Sequence, residues 1–598
     1  MRGSLLLLCV GVLVPSAACS SDKTANENVE AGTSEKDASP PPKHSPDASP
    51  STPPESDAGQ VDEDAPGPPP IVTLDDGQVQ GDYVGGTRRF LKIPFAKPPT
   101  GDLRWKAPVK NDKWTGIRHE TSFTLGCPQN MSSQGPASTN EDCLYLNVWT
   151  PDPAPAKAPV MVWFHGGGNF AGSAGDLLPA TQILWYDGQF FAKRHGVIVV
   201  SVDYRLGPFG FFSHPALAGE QSPLGNQGLL DQRFSLQWVR DNIEKFGGDP
   251  DNVTIFGESA GSADVCYHVA SPGSRGLFQR AISESGGCTI SINGGKDSTV
   301  AGVAAGMQAF TKAMGCDKAS DALACLRGKS VTDIMANAQQ PDLTSGTVQN
   351  PPWSFNVVVD GPGGFLPDQA RALFDSGNIA KVPYILGSNN DEGYLFLFGA
   401  TPPMTEADYE AQLKARFGAN ADAVLKEYPV SNFNGVYLDA LARVITDSGL
   451  GCGTHDSARR AAKAGSSVFM YNFNVPWALA PMQLHASHAS EISHVFGNPY
   501  MPDQGSQEVS DVMNAFWANF AKTGDPNFSG AKAQWPAFTP DANDDDERIQ
   551  FDTGFETLQN FRKAECAFWR GLYDAAESGD GGAPTTPDAG AHPDAGTP

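Results

Sequence analysis

No run of apolar residues in this 598-residue sequence is long enough to cross a bilayer as a helix, which takes roughly 20 in succession. The N-terminal run, Leu5 to Val14, reaches about half that length. With Arg2 before it and Ser16-Ala17-Ala18 after it, residues 1–18 read as a signal peptide, and the chain is expected to be exported. Cations are scarce as well. Forty-two Lys and Arg against 68 Asp and Glu give 42 − 68 = −26, which argues against nucleic acid or an anionic membrane surface as partner. There is no C-x-x-C pair and no Cys/His spacing of a zinc site, so no zinc site is expected.

Aromatic and β-branched residues are nearly absent from the Ser, Pro, Asp and Ala-rich stretch 19–70. Such a composition cannot bury enough apolar surface to offset its ordering entropy, so 19–70 is read as a disordered tether and 577–598, rich in Gly, Pro and Asp, as a tail of the same kind. The folded unit is then 71–576. Cys19 follows Ala17-Ala18 as in a bacterial lipobox and is a candidate lipid anchor, although Pro15-Ser16 stands where that motif prefers Leu. Ordinary cleavage after Ala18 is the alternative. Of ten Cys, Cys9 leaves with the signal and Cys19 marks the processing site, so 10 − 2 = 8 remain. An even set in an exported chain is expected to form disulfides.

What is present centres on Val253 to Ser262. A β-branched and aromatic run, Val253 to Phe256, meets Gly257-Glu258-Ser259-Ala260-Gly261, and the residues from Ser262 to Val269 suit a helix. A G-x-S-x-G turn between strand and helix is a nucleophile elbow: the serine backbone is strained, and glycines two residues to either side avoid collisions. Ser259 would stand at the carboxyl end of a strand, facing free N–H groups of a helix N-terminus. Upstream, Val160 to Phe164 is continuously apolar, as a strand covered on both faces should be, and it ends in His165-Gly166-Gly167-Gly168-Asn169. Three bare glycines expose backbone N–H groups suited to an oxyanion hole. A phosphate cradle is the poorer reading, because no Gly-Lys-Ser/Thr follows.

Around these motifs strands and helices alternate. Thr87 to Pro108 reads as an edge-like strand running into a Pro-rich loop, Glu141 to Trp149 as an alternating strand, Val197 to Val202 and Val468 to Phe473 as further strands, Arg280 to Gly286 as a strand and turn, and Val382 to Gly393 as a strand ending in a polar loop. Leu229, Leu236, Val239, Ile243 and Phe246 recur at helical spacing and are core; 298–374 reads as helix-rich. The expected class is α/β, a large and mostly parallel sheet with helices on both faces. Ligands on such sheets bind beyond the carboxyl ends of the strands.

A serine hydroxyl needs a base, and the base needs a third group to hold its tautomer. In the order Ser, acid, His, the base comes late, leaving His485, His488 or His494, and the acid follows an intervening strand, leaving Asp391 or Glu392. Spacing does not choose within either set. A metal site built from the three histidines and Glu491 is the other chemistry these side chains allow.

Together these segments resemble the type-B carboxylesterase/lipase family, the cholinesterase-like α/β-hydrolases. The likeness covers residues 75–575 and rests on Ile93 to Ala96 with Leu103-Arg104-Trp105, Glu141 to Val148, His165 to Gly168, Gly225 to Gly228, Gly257 to Gly261, Asn390 to Gly393, His488 to Gly497 and Trp517 to Pro526. The resemblance implies Ser259 as nucleophile, His488 as base and Glu392, rather than Asp391, as its orienting acid. It implies oxyanion donors at Gly167, Gly168 and Ala260, Glu258 as a buried acid beside the nucleophile, and an Arg104–Glu141 ion pair. It also implies disulfides Cys127–Cys143, Cys316–Cys325 and Cys452–Cys566, which leaves Cys266 with Cys288. The loop from Pro128 to Asp142 lacks the aromatic residue that stacks on a quaternary ammonium in acetylcholinesterase, so choline esters are not expected. Ile292 falls near where the cholinesterase acyl pocket has tryptophan, which implies room for a larger acyl group.

The reading is therefore an exported serine carboxylesterase acting through an acyl-enzyme on a small-molecule ester, with no cofactor. The rival is a catalytically inactive adhesion or ligand-binding member of the same fold, and it is disfavoured because Ser259, Glu392 and His488 are all present.

Overall fold

Because Val160 to Phe164 carries no polar side chain, the strand it forms must be covered above and below. In the computed structural model it is. The structure describes residues 68–578 except 131–136, 178–183, 221–222, 291–297, 339–352, 354, 398–402, 480–481, 498–503 and 541–545. The signal peptide, almost all of the tether (through residue 67) and the tail from 579 lie outside the described residues, as does Ile292.

The main sheet takes its strands in chain order as β1 (Asp82–Val84), β2 (Thr87–Pro94), β3 (Tyr145–Pro151), β4 (Ala158–Phe164), β5 (Ile198–Val202), β6 (Gly248–Glu258), β7 (Arg280–Glu284), β8 (Tyr384–Asn389), β9 (Val468–Phe473), β10 (Glu547–Phe551) and β11 (Thr557–Gln559). Their spatial order is β11-β10-β9-β8-β7-β6-β4-β5-β3-β2-β1. From β4 through β10 neighbouring strands are parallel, and the flanking pairs are antiparallel. The sheet is thus mixed at its edges and parallel where the chemistry sits.

Alternate residues of a strand face opposite sides, and here each side meets its own helices. Val160, Val162 and Phe164 join the core that contains Leu229, Leu236 and Val239 of α1 (Gln227–Asn242), and Val265 and Val269 of α2 (Ala260–Ala270). Met161 and Trp163 face the other core, with Val509, Met513, Phe516 and Trp517 of α3 (Gln504–Thr523). Truncating one such side chain, Met161→Ala for instance, would cost about 2–5 kcal/mol.

Two expectations need correcting. The segment at Thr87–Pro94 is not the edge, because the Gly85-Gly86 turn folds Asp82–Val84 outside it. The strand at Tyr145–Pro151 does not alternate between core and solvent; it is buried throughout but for its last residue. Its polar residues are satisfied inside: Asn147 donates to Ser201 Oγ at 3.1 Å and accepts from the Lys92 N–H, and Thr150 donates to the Phe246 carbonyl.

Disulfides join Cys127 to Cys143, Cys266 to Cys288, Cys316 to Cys325 and Cys452 to Cys566. The last spans 114 residues, long enough for about 5 kcal/mol of chain-entropy stabilisation. Arg104 binds Glu141 through two parallel bonds of 2.7 and 2.5 Å and donates also to the carbonyls of Arg327 and Lys329. Bidentate geometry and burial make this pair a fixed strut rather than a surface contact.

Candidate active site

Strand β6 ends at Glu258, and α2 begins at Ala260, two residues earlier than its sequence pattern indicates. Ser259 between them adopts φ 57° and ψ −121°, a left-handed backbone that costs a non-glycine residue on the order of 1–3 kcal/mol. Its surroundings enforce it. A Cβ on Gly257 would lie 2.6 Å from the Phe164 carbonyl oxygen, and one on Gly261 2.0 Å from the same atom. The Ser259 N–H donates to the Glu284 carbonyl at 2.9 Å, and its side chain stays half-buried at the strand's carboxyl end.

The base and acid candidates separate cleanly. His488 Nε2 lies 2.7 Å from Ser259 Oγ, and its Nδ1 lies 2.6 Å from Glu392 Oε2. A carboxylate can only accept, so Nδ1 carries a proton, and in the neutral imidazole Nε2 then turns its lone pair to the hydroxyl. His485 stacks on Tyr394, with ring centroids 4.3 Å apart. His494 is held by Ser506 Oγ at 2.8 Å. Asp391 pairs with Arg443 at 3.0 Å and does not reach the imidazole's partners. Among the described residues, no three of these groups gather as ligands for a metal ion.

Glu392 is fixed from several sides. The Asn389 N–H donates to its Oε1 at 2.7 Å, and the Gly393 N–H donates to Thr446 Oγ1 at 3.0 Å. Arg443 and Arg562 both donate to the Asn390 carbonyl, while the Asp391 N–H bonds the Ala486 carbonyl at 2.9 Å. The loop bearing the acid is therefore stitched to the loop bearing the histidine. Phe396 lies against the His488 ring, centroid to centroid 5.0 Å; its spacing from Glu392 held no signal that would have marked it.

Three further carboxyl groups are buried nearby. Glu258 Oε1 is 3.2 Å from His488 Nε2. Burial pushes Glu258 well above the usual carboxylate range; His488 pulls it back in part, and Glu491 and Glu392 push it further. Glu491 accepts from Ser285 and Asn389 and is lifted to about 7, by burial first and then by Glu392. Glu284 accepts from the Trp517 indole at 2.7 Å and is likewise raised, by burial first. For His488 burial alone would depress the imidazole, but the negative charge of Glu258 and Glu392 raises it to about 9. Glu284 lies in a strand that reads simply as core, so sequence reasoning passed over it.

Strands β4 and β6 are neighbours, with Phe164 opposite Gly257, and this brings the glycine loop to the serine. A Cβ on Gly166 would sit 3.1 Å from the Ser259 Cβ. Gly167 and Gly168 take φ of 101° and 66°. Among the described residues the N–H groups of Gly167, Gly168 and Ala260 make no hydrogen bond, which leaves them open to an incoming oxygen atom.

Residues 68–569 match the model of a family described as the carboxylesterase family. A cholinesterase from Mus musculus is 35% identical over 543 residues, covering 84% of this chain and 86% of that protein. Among solved structures, one named PNB esterase superposes with a TM-score of 0.69 at 31% identity, over 83% of this chain and 99% of its own.

Proposed function

The chain belongs to the carboxylesterase family, serine esterases on the α/β-hydrolase fold, and from that premise we propose that Ser259, His488 and Glu392 hydrolyse a small-molecule carboxylic ester through an acyl-enzyme. The observation that carries the reading is the unbroken line of contacts from Ser259 Oγ to His488 Nε2 and from Nδ1 to Glu392, 2.7 and 2.6 Å long.

As Ser259 Oγ attacks the ester carbonyl, its proton passes to His488 Nε2, and Glu392 holds the imidazolium in place. The carbonyl oxygen gains a full negative charge, which the N–H groups of Gly167, Gly168 and Ala260 receive. When the tetrahedral species collapses, His488 returns the proton to the leaving alkoxide and the acyl group stays on Ser259. Water then repeats the sequence, with His488 as base, and releases the acid. The Cys127–Cys143 loop has no aromatic residue to cradle a quaternary ammonium, so a choline ester is not the expected substrate. Four disulfides favour an oxidising compartment, in keeping with export by a signal peptide over 1–18, a tether over 19–70 with Cys19 as candidate lipid anchor, a catalytic domain over 71–576 and a tail over 577–598.

The test is turnover of a chain-length series of p-nitrophenyl esters by the exported protein and by Ser259→Ala. Loss of the hydroxyl is expected to lower kcat by roughly five to six orders of magnitude. Equal rates would remove the mechanism.

A further inference from the structure

Two separate segments supply the oxyanion donors, the glycine loop after β4 and the first turn of α2, and something must set their relative position. Within the loop the peptide planes are already fixed. His165 Nδ1 donates to the Gly166 carbonyl at 2.8 Å, and the Gly167 carbonyl accepts from the N–H groups of Phe170 at 3.1 Å and Ala171 at 3.0 Å. A carbonyl and the next residue's N–H share one plane, so these bonds aim the N–H groups of Gly167 and Gly168. They do not say where the loop lies against Ala260.

A buried side-chain bond spans that gap. Asn169 Nδ2, on the residue after the last glycine, donates to Asp264 Oδ1 at 2.9 Å. Asp264 stands on α2 one turn beyond Ala260 and therefore on the same face. Both residues are buried, Asp264 completely. Asn169 holds φ 62°, a conformation asparagine tolerates better than most residues, and its own carbonyl accepts from the Gly207 N–H at 2.7 Å. Asp264 is anchored in turn: its Oδ2 accepts from Gln232 Nε2 at 2.6 Å, and Gln232 Oε1 faces His268 Nε2 at 3.0 Å. An amide oxygen only accepts, so His268 donates there, and its Nδ1 faces Ser274 Oγ at 2.8 Å. The row of donors from Ser274 to Gln232 converges on one oxygen of Asp264, and Asn169 takes the other.

We propose that Asn169 and Asp264 are positioning residues whose hydrogen bond sets the Gly167 and Gly168 N–H groups against that of Ala260, so that all three converge on the ester oxygen. The inference rests on the reading of Ser259 and its oxyanion hole given above.

Asn169→Gly, which suits the left-handed backbone, Asp264→Ala and the double variant are compared with the parent full-length protein. Each single change is expected to lower kcat about 10- to 100-fold, as a donor displaced by about 1 Å would. KM stays within about threefold, because the bound ester does not yet carry the charge. Affinity for an aryl trifluoromethyl ketone, whose serine adduct places an oxyanion in the hole, falls in step with kcat. The double variant is no slower than the worse single one, and Asp264→Asn, which keeps an oxygen for Asn169 while Gln232 turns its own oxygen to the new amide and His268 moves its proton to Nδ1, recovers most of the rate. Parental kcat in folded Asn169→Gly, a loss confined to KM, or multiplying losses in the double variant would overturn the proposal. If Asp264→Ala does not fold, the kcat and KM of Asn169→Gly decide alone. An active Ser259→Ala would instead sink the underlying mechanism; an inactive one beside an unimpaired Asn169→Gly sinks only this inference.

Discussion

Helix α2 runs between two buried imidazoles that behave in opposite ways. At its start His488 lies against Ser259, Glu392 and Glu258, and near its end His268 lies among Ser274, Gln232 and the rings of Phe164 and Phe365. Both are buried. His268 has only neutral partners, and burial, aided by the positive Arg233, depresses it to about 3. In His488 the same burial is overcome by carboxylates, and the group is raised to about 9. Burial alone therefore does not make a histidine inert or reactive; the charge of its partners does. His268 is a fixed link in a hydrogen-bonded row, and His488 is a group that can take a proton and give it back.

The sharpest way to break this contrast is to remove each ring in turn. His488→Ala is expected to lower kcat by roughly five to six orders of magnitude, as loss of a triad base does. His268→Gln, with an amide in place of the imidazole, is expected to cost kcat no more than about tenfold, through slackening of Gln232 and Asp264. Stopped assays on the two purified variants settle it, and comparable losses would mean that the two sites are not different in kind.

The contrast can also be sharpened through the pH dependence of stability. His268 is depressed, so between pH 6.5 and about 3 the unfolded chain binds a proton that the native one refuses. Its contribution is whole above 6.5 and is lost as the pH falls, on the order of 5 kcal/mol in all. His488 is raised, so its contribution is whole below 6.5 and is lost as the pH climbs to about 9. Denaturant titrations of parent and His268→Gln should differ in slope only on the acid side, the variant falling less steeply. Parallel curves from pH 6.5 to 3 would show that His268 is charged in the native protein.

Of this site, the nucleophile and its frame are legible in the sequence, whereas the pairing of side chains that sets the two imidazoles apart is not, for physical reasons. Ser259, the three glycines and the parallel strands that present them declare themselves because each needs a particular backbone: a buried apolar run, a turn closed to any Cβ, a helix start. The choice of Glu392 over Asp391 and of His488 over His485 turns on which side chain points inward from a loop, and adjacent residues in a loop carry no periodicity to reveal that. Only the resemblance to a known family distinguished them. Asn169, Asp264, Gln232 and His268 lie 63, 32 or 4 residues apart in sequence, and each alone is an ordinary polar residue; their meaning arises when β4 and β6 become neighbours. The hairpin at Asp82–Val84 and the late strands β10 and β11 escaped notice because they are short and lie at the sheet's edges.

The smallest expected effect concerns which carboxylate lifts His488. Glu392 bonds Nδ1 at 2.6 Å, and Glu258 stands 3.2 Å from Nε2, the nitrogen that must accept the serine proton. If Glu258 is ionised it stabilises the imidazolium and delays the release of the base to higher pH. Burial, with Glu491 and Glu392 beside it, drives Glu258 the other way, toward its neutral form. The two tendencies oppose each other, and the acid limb of kcat/KM against pH reports their balance, since its midpoint is the pKa of the free base. Glu258→Gln removes the charge and keeps the shape. With the anion gone the imidazolium is less favoured, its pKa falls and the limb moves to lower pH, by about one unit for a charge at this distance. A limb that stays in place would mean that Glu258 holds its proton throughout and Glu392 alone raises His488; a limb that moves to higher pH would contradict the electrostatic account of the site.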